Sequence, residues 1–441
     1  MRGVRGPDVD TAPAAPAPRP GRRRSPVDLL ILAAGIAIAV AAASPIVARW
    51  LGNPPDQRLV DLEVYRDGGA AILRGAPLYE VLTQPPQFLP FTYPPFAAAL
   101  AVPFTLLPWR AAQWIWTGLI YAALLICVRY AFRDLIRRTG RWAPLTTGAL
   151  VAACAWMVPV RDQVRFGQVG LFLLALCLAD CCARTPRWPR GALVGLAVAI
   201  KLVPGVFLIY FLVTGRWEAL RNAVLTAAAA TLGAFALLPS DSADFWFGAL
   251  LEGGDRTGAV NGTTNQAVNG IVARILPEGP VRSLVWLVLV LAMAYYGFKL
   301  ARRATLAADD LRGPDSNALL LAGVAITGLL SVLLSPVGWI HHLVWMIPVI
   351  GALAGDGRDT RRCLLAAGAW FYFLFPLPWW GTKLIGPDDP LISAFFGRIV
   401  QDLFGFAAIA MIVLLGTWLV DRTSRTGVPS QPDAEVGTLA P

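Results

Sequence analysis

The sequence predicts an all-α, polytopic membrane protein, and three observations carry that reading. Apolar residues fill 56% of 441 positions and charged residues only 15%, with a mean hydropathy of +0.58, outside the range of soluble domains. Runs of about 18 or more residues with almost no charge recur between Leu29 and Val420, each the length a helix needs to cross a bilayer. No segment alternates apolar and polar residues with period two, as a membrane β-barrel requires. The net charge of +10 is no nucleic-acid signature, because the basic residues stand in short clusters between apolar runs, where they set orientation. The six cysteines lie in or beside apolar runs with no zinc-like spacing to histidine, so neither a disulfide framework nor a metal site is expected.

Each element follows from charge and length. Residues 1–27 are rich in Pro, Ala and Arg and end in GRRRSP, a basic tail expected to be disordered and cytoplasmic. The acidic triplet Asp8–Asp10 resembles the metal-holding triplet of nucleotide-sugar transferases, but in such a tail it reads as chance. Residues 28–422 form the membrane domain and 423–441 a second cytoplasmic tail. Leu29–Arg49 crosses outward, which makes 50–93 the first outer loop. Pro94–Leu107, at about 14 residues, is too short to span and reads as a partial or re-entrant element. Ala111–Phe132 returns to the basic cluster RDLIRRTGR; Pro144–Val160 goes out, and Val169–Cys182 comes back. Gly191–Val213 has cytoplasmic flanks on both sides and is broken by Lys201 and Pro204, so it reads as a broken hairpin with Lys201 at its tip. Crossings at Ala223–Leu238, Leu284–Leu300, Asn317–Leu334, Leu343–Leu353, Leu364–Phe375 and Ala394–Val420 bring the total to about ten, plus the two broken elements.

This sidedness, set by basic loops alone, puts nearly every unusual polar motif on the outer face. Asp61 opens the stretch DLEVYRDGGAAILRGAPLY directly after the first crossing. A carboxylate there suits either a helix cap or a general base that takes a proton from an attacking hydroxyl. Glu63 and Asp67 compete with it but face differently on a helix. Lys201 is the costliest residue in the chain, since an ammonium in an apolar run costs about 2.5–3.5 kcal/mol on insertion scales. It should face a cavity and an anion, for which a lipid phosphate is suited. Arg161 and Arg165 of RDQVRFGQ add forked donors that match phosphate oxygens. His341 and His342, the only histidines, stand together in SPVGWIHH, and either can donate to a phosphate or a sugar hydroxyl. Tyr93 of FTYPP, Gln168, Asn265 and Gln266 of NGTTNQAVNG, Trp339, and Trp380 of PWWGTK are the candidates for sugar or acceptor contact.

Taken together, DLEVY with a following G-x-P-L-Y, FTYPP, FGQVGLFLLAL, GLAVAIKLVPGVFLIYFLVTGRW, N-x-x-N-Q-x-x-N-G and SPVGWIHH resemble the polyprenol-phosphate-mannose-dependent α-(1→2)-mannosyltransferases of actinobacteria, glycosyltransferase family 87 of the GT-C fold class. The resemblance spans roughly residues 28–420. It implies a polyprenyl-phosphate-mannose donor, inversion at the anomeric carbon, no cofactor or metal, and a site outside the bacterial plasma membrane. It also implies an Asp base in the first outer loop, falling on Asp61, and a functional histidine on His341 or His342, with His342 favoured for catalysis and His341 for the donor phosphate. Acceptors of phosphatidylinositol mannoside, lipomannan or lipoarabinomannan type follow from it. Some relatives transfer arabinofuranose, which makes a decaprenyl-phosphate-arabinose-dependent enzyme the alternative. A transporter or lipid flippase is the reading from another class, since broken helices occur there too.

Overall fold

The computed structural model describes residues 25–54, 57–252, 258–386 and 390–426. The triplet Asp8–Asp10 and most of both tails lie outside them. Among the described residues the chain is helical, and its β-pairings are two isolated bridges, Leu82 with Pro90 and Asn265 with Trp339.

Helix α1 (Pro26–Gly52) opens with a reciprocal cap between Ser25 and Asp28 and with Pro26 in its first turn. Helix α2 (Val60–Arg74) is the amphipathic run after it and buries Leu62, Tyr65 and Ala71 on one face. It lies on α3 (Pro95–Thr105), with Gly69 so close to the Ala101–Val102 backbone that a Cβ would stand 3.0 Å away. At 11 residues α3 falls short of a crossing, in keeping with the partial element expected there. Helix α4 (Trp109–Ala131) is long enough to span, and α5 (Arg133–Arg138) carries the basic cluster. Helix α6 (Ala143–Ala155) crosses α1 where two glycines meet. A Cβ on Gly148 would fall 2.0 Å from the Gly35 carbonyl oxygen, so only small residues let the backbones touch.

Helix α7 (Val158–Phe166) follows at a bend of 77°. Arg161–Gln168, left between two crossings by the sequence reading, is not a plain connection: residues 161–166 are helical. Pro159 suits a first helical turn, and Gly167, at φ 72°, closes the helix. After α8 (Gly170–Cys182) the chain enters α9 (Ala192–Ile200), whose start is capped by Asp180 through the Gly191 and Val194 N–H groups, both at 2.9 Å. Lys201 is extended (φ −151°, ψ 131°) and breaks the run before α10 (Val206–Val213). Helix α11 (Trp217–Leu237) shows how that break is folded. Gly191 abuts Ala219 and Gly195 abuts Ala223, so α9 and α11 start at one end and run in the same direction. Helix α10 must therefore run back toward that end, and Lys201 stands at the tip of a hairpin.

Short helices α12 (Pro239–Asp244), α13 (Leu250–Glu252) and α14 (Val268–Ile275) interrupt the polar loop. Next come α15 (Pro280–Asp309) and α16 (Gly313–Leu333). Protein buries 83% of the apolar window of α16 but only 17% of those of α15 and α1, so α16 is the central post and the other two face lipid. A Cβ on Gly328 of α16 would stand 1.9 Å from the Trp345 ring. Gly328→Val is therefore expected to destabilise the protein by about 1–3 kcal/mol through overpacking. An unshifted thermal midpoint in detergent would mean that Trp345 moves aside freely.

The chain ends with α17 (Met346–Ala354), α18 (Thr360–Tyr372), α19 (Leu377–Thr382), α20 (Leu391–Gln401), α21 (Leu403–Leu414) and α22 (Val420–Thr426). Ala394–Val420, expected as one crossing, is broken at Asp402, and the apolar span runs Leu403–Ser424 instead. The cause is a buried ion pair between Asp402 and Arg274, beside which Gly405 N–H donates to Gln266 at 2.8 Å. Residues 423–426, assigned above to the tail, are helical. Among the described residues, six helices can cross a membrane by length and composition, or seven if α6 and α7 form one bent span. The protein is a multi-pass membrane protein, though fewer helices reach full span length than the ten crossings expected.

Candidate active site

The root of α2 holds Asp61, the carboxylate that the sequence offers as a general base. Leu59, just before the helix, is fully buried with φ 47° and ψ 39°, a left-handed conformation that costs a branched side chain roughly 1–2 kcal/mol. It is held there from α7. Leu59 N–H donates to the Arg165 carbonyl at 2.8 Å, and Gly167 is so close that a Cβ would meet Leu62 at 3.0 Å and Leu59 at 3.2 Å. Trp116 of α4 donates to the Gly167 carbonyl at 2.7 Å. Asp61 projects from this joint, and strain of this kind gathers where a structure fixes a functional group.

Around Asp61 the chain assembles side chains from five segments. Tyr65, one turn along α2, donates to Gln168 Oε1 at 3.2 Å. Its proton is spent there, so its 3.1 Å contact with Tyr93 must be a bond that Tyr93 donates. With its oxygen engaged, Gln168 turns its amide N–H to the Asp61 carboxylate. Lys201 acts on Asp61 electrostatically and lies 5.1 Å over the Tyr93 ring. Its Nζ is 3.2 Å from His342 Nε2. An ammonium only donates, so that nitrogen accepts, and the imidazole is neutral with its proton on Nδ1. His341 stands behind. Its ring meets His342 edge to face at 4.5 Å and Phe166 at 5.6 Å, and its carbonyl accepts from Gln163 at 2.6 Å.

The Asp61 carboxyl is pushed up to about 6, chiefly by burial, against the lowering pull of the Gln168 bond and the Lys201 charge. A base works only when ionised, so an activity that uses Asp61 as its base should rise with pH through about 6 and level off above it. Asp67 is also raised to about 6, by burial and then by Glu63. Glu63 in turn accepts from Gln84 N–H at 3.3 Å. The test is the pH profile of kcat/KM: the acidic limb should survive Asp67→Asn, and its loss there would move the base to Asp67.

The structure brings Asp61, Tyr93, Gln168, Lys201 and His342 together, packs His341 directly against His342, and places the remaining candidates elsewhere. Arg161 donates to the Leu374 carbonyl at 3.2 Å, and Arg165 lies over Trp50 and Phe166, on the side of α7 away from Gln163. Asn265 is buried, donating to the Val260 carbonyl and accepting from Gly338 N–H, both at 2.9 Å. Gln266 is buried and donates to the carbonyls of Thr263 and Gln401. These amides tie loops together and have little left for a sugar. Trp339 pairs with Asn265, and Trp380, 45% exposed, packs on Phe375. Tyr65 was not singled out from sequence, although its place four residues after Asp61 puts both on one helix face. A cavity of about 320 Å³ lined by Asp180, Arg190, Tyr210 and Trp217 opens at the base of the hairpin, not at Asp61.

Comparison with known proteins adds the following. The model of glycosyltransferase family 87 matches residues 91–336. A polyprenol-phosphate-mannose-dependent α-(1-2)-phosphatidylinositol mannoside mannosyltransferase of Mycolicibacterium smegmatis is 34% identical over 415 residues, covering 89% of this chain and 90% of that protein. A phosphatidylinositol pentamannoside mannosyltransferase of the same organism is 35% identical over 340 residues, 74% of this chain and 77% of the relative. An α-(1->3)-arabinofuranosyltransferase of Corynebacterium glutamicum is more distant, 25% identical over 374 residues and 82% of each chain. No solved structure matches.

Proposed function

Since this chain belongs to glycosyltransferase family 87, we propose that it transfers mannose, with inversion, from a polyprenyl-phosphate-mannose lipid to the 2-hydroxyl of a mannoside in a phosphatidylinositol-mannoside-type glycolipid. Membership in a transferase family displaces the transporter reading. The observation that carries the mechanism is the meeting of Asp61 with the Lys201–His342 pair in one cluster.

Asp61 takes the proton of the acceptor hydroxyl as that oxygen bonds to the anomeric carbon. The bond from that carbon to the phosphate oxygen breaks on the opposite side, and polyprenyl phosphate leaves with the electron pair. Lys201 balances the charge gathering on the phosphate. His342 aims Lys201 through Nε2 and keeps Nδ1–H to donate to a phosphate oxygen or a sugar hydroxyl. Gln168 and Tyr65 hold the base in line.

The same reading places the site on the extracytoplasmic face, with ten crossings in all if the bent α6–α7 pair and the shorter α8, α17 and α18 each complete one. The test is a transfer assay with synthetic β-mannosyl phosphoryl polyprenol and a phosphatidylinositol mannoside, with linkage analysis of the product. An α-1,2-linked mannoside is expected. Transfer from decaprenyl-phosphate arabinose but not from the mannosyl lipid would overturn the sugar assignment.

A further inference from the structure

Four guanidiniums gather at the C-terminal end of α1, next to the root of α2. Arg49 lies 5.0 Å over the Trp50 ring, and Arg165 lies 5.1 Å over the same ring and 4.8 Å over Phe166. Arg161 is near enough to Arg49 to feel its charge, and Arg58 donates to the Leu51 carbonyl at 2.8 Å. Among the described residues none of the four makes an ion pair with a carboxylate. The carboxylate that acts on Arg161 and Arg165 is Asp162, which is itself buried.

Holding like charges together is unfavourable unless an anion joins them. Arg49 and Arg165 lie over Trp50 and Phe166 and make no ion pair with a carboxylate among the described residues, and forked guanidinium donors suit phosphate oxygens. The cluster is coupled to the reactive carboxylate, because the Arg165 carbonyl holds Leu59 N–H two residues before Asp61. It stands on the face of α7 away from Gln163, which braces the histidine segment, so it is separate from the Lys201 phosphate position.

We propose that Arg49, Arg58, Arg161 and Arg165 form a site for the phosphodiester headgroup of the lipid acceptor, which delivers its sugar to Asp61 from the side opposite the donor. This rests on the mannosyltransferase reading, since it names the group by which that reaction's acceptor is held. Anionic bulk lipid offers the same phosphodiester chemistry, and the donor offers a phosphate, so both sources must be separated from the acceptor.

The experiment measures binding to the full chain in phosphatidylcholine nanodiscs. One ligand is a short-chain phosphatidylinositol mannoside, the other an alkyl mannoside with the same sugars and no phosphate. The wild-type protein should prefer the first, and Arg49→Gln combined with Arg165→Gln should reduce that preference at least about tenfold. The alkyl mannoside reports folding in the same samples. An unchanged preference would overturn the proposal. So would displacement of the phosphodiester ligand by short-chain phosphatidylglycerol as efficiently as by the unlabelled ligand itself, which would assign the cluster to bulk lipid. A rise in donor KM without loss of acceptor preference would assign it to the donor and overturn the proposal equally. If the preference behaves as expected but no mannosyl transfer occurs, the functional reading fails and this site stands.

Discussion

Asp61→Asn is expected to lower kcat about 100- to 10,000-fold, the range lost with a general base, and to leave a protein at least as stable as the wild type at pH 7. The two halves of this expectation have different causes. The amide cannot take the acceptor proton, so the chemistry stops. Its carbonyl oxygen still accepts from Gln168, so the local network survives. Burial raises the folded-state carboxyl from 3.8 to about 6, so the fold disfavours ionised Asp61, and stability falls as pH rises between those values. An uncharged Asn escapes that loss, and its melting temperature at pH 7 should match or exceed the wild-type value. Near-normal turnover of Asp61→Asn with purified donor would end the assignment of the base.

For Lys201→Met we expect donor KM to rise roughly ten- to a hundredfold, the worth of a charge-assisted contact to phosphate, with a smaller change in acceptor KM. A second signature separates an electrostatic role from mere packing. The Lys201 charge now holds the Asp61 carboxyl down, so its removal should move the acidic limb of the pH profile above about 6. Equal losses toward both substrates with an unmoved limb would show that Lys201 does not meet the donor phosphate.

These residues were legible because each violates its surroundings. Asp61 is an acid directly after an apolar run, Lys201 an ammonium within one, and His341 and His342 are the only imidazoles in the chain. The relay beyond Asp61 was not legible, because Tyr65 meets Gln168 across 103 positions and periodicity carries no such information. Arg161 and Arg165 were read as forked donors to the donor phosphate, with no helix assigned to them. Once α7 is helical, 3.6-residue periodicity sends them to one face and Gln163 to another. Asn265 and Gln266 have the chemistry of sugar ligands, but their partners Gly338 and Gln401 lie 73 and 135 positions away. The partner of Asp402 was hidden for the same reason, since Arg274 is 128 positions distant, although Arg398, Gln401 and Asp402 together interrupt the apolar run.

The α9–α10 hairpin has legs of nine and eight residues, which rise only about 13 Å and 12 Å. Against a hydrocarbon layer about 30 Å thick, neither leg can span. On the proposed sidedness the cation at their tip, grouped with Asp61 and Tyr93 of the outer loop, stands just under the boundary along which a lipid phosphate travels. The substrate's charged head would then sink a short way toward the reaction instead of being hauled clear of the oil, and the unreactive tail need never meet water.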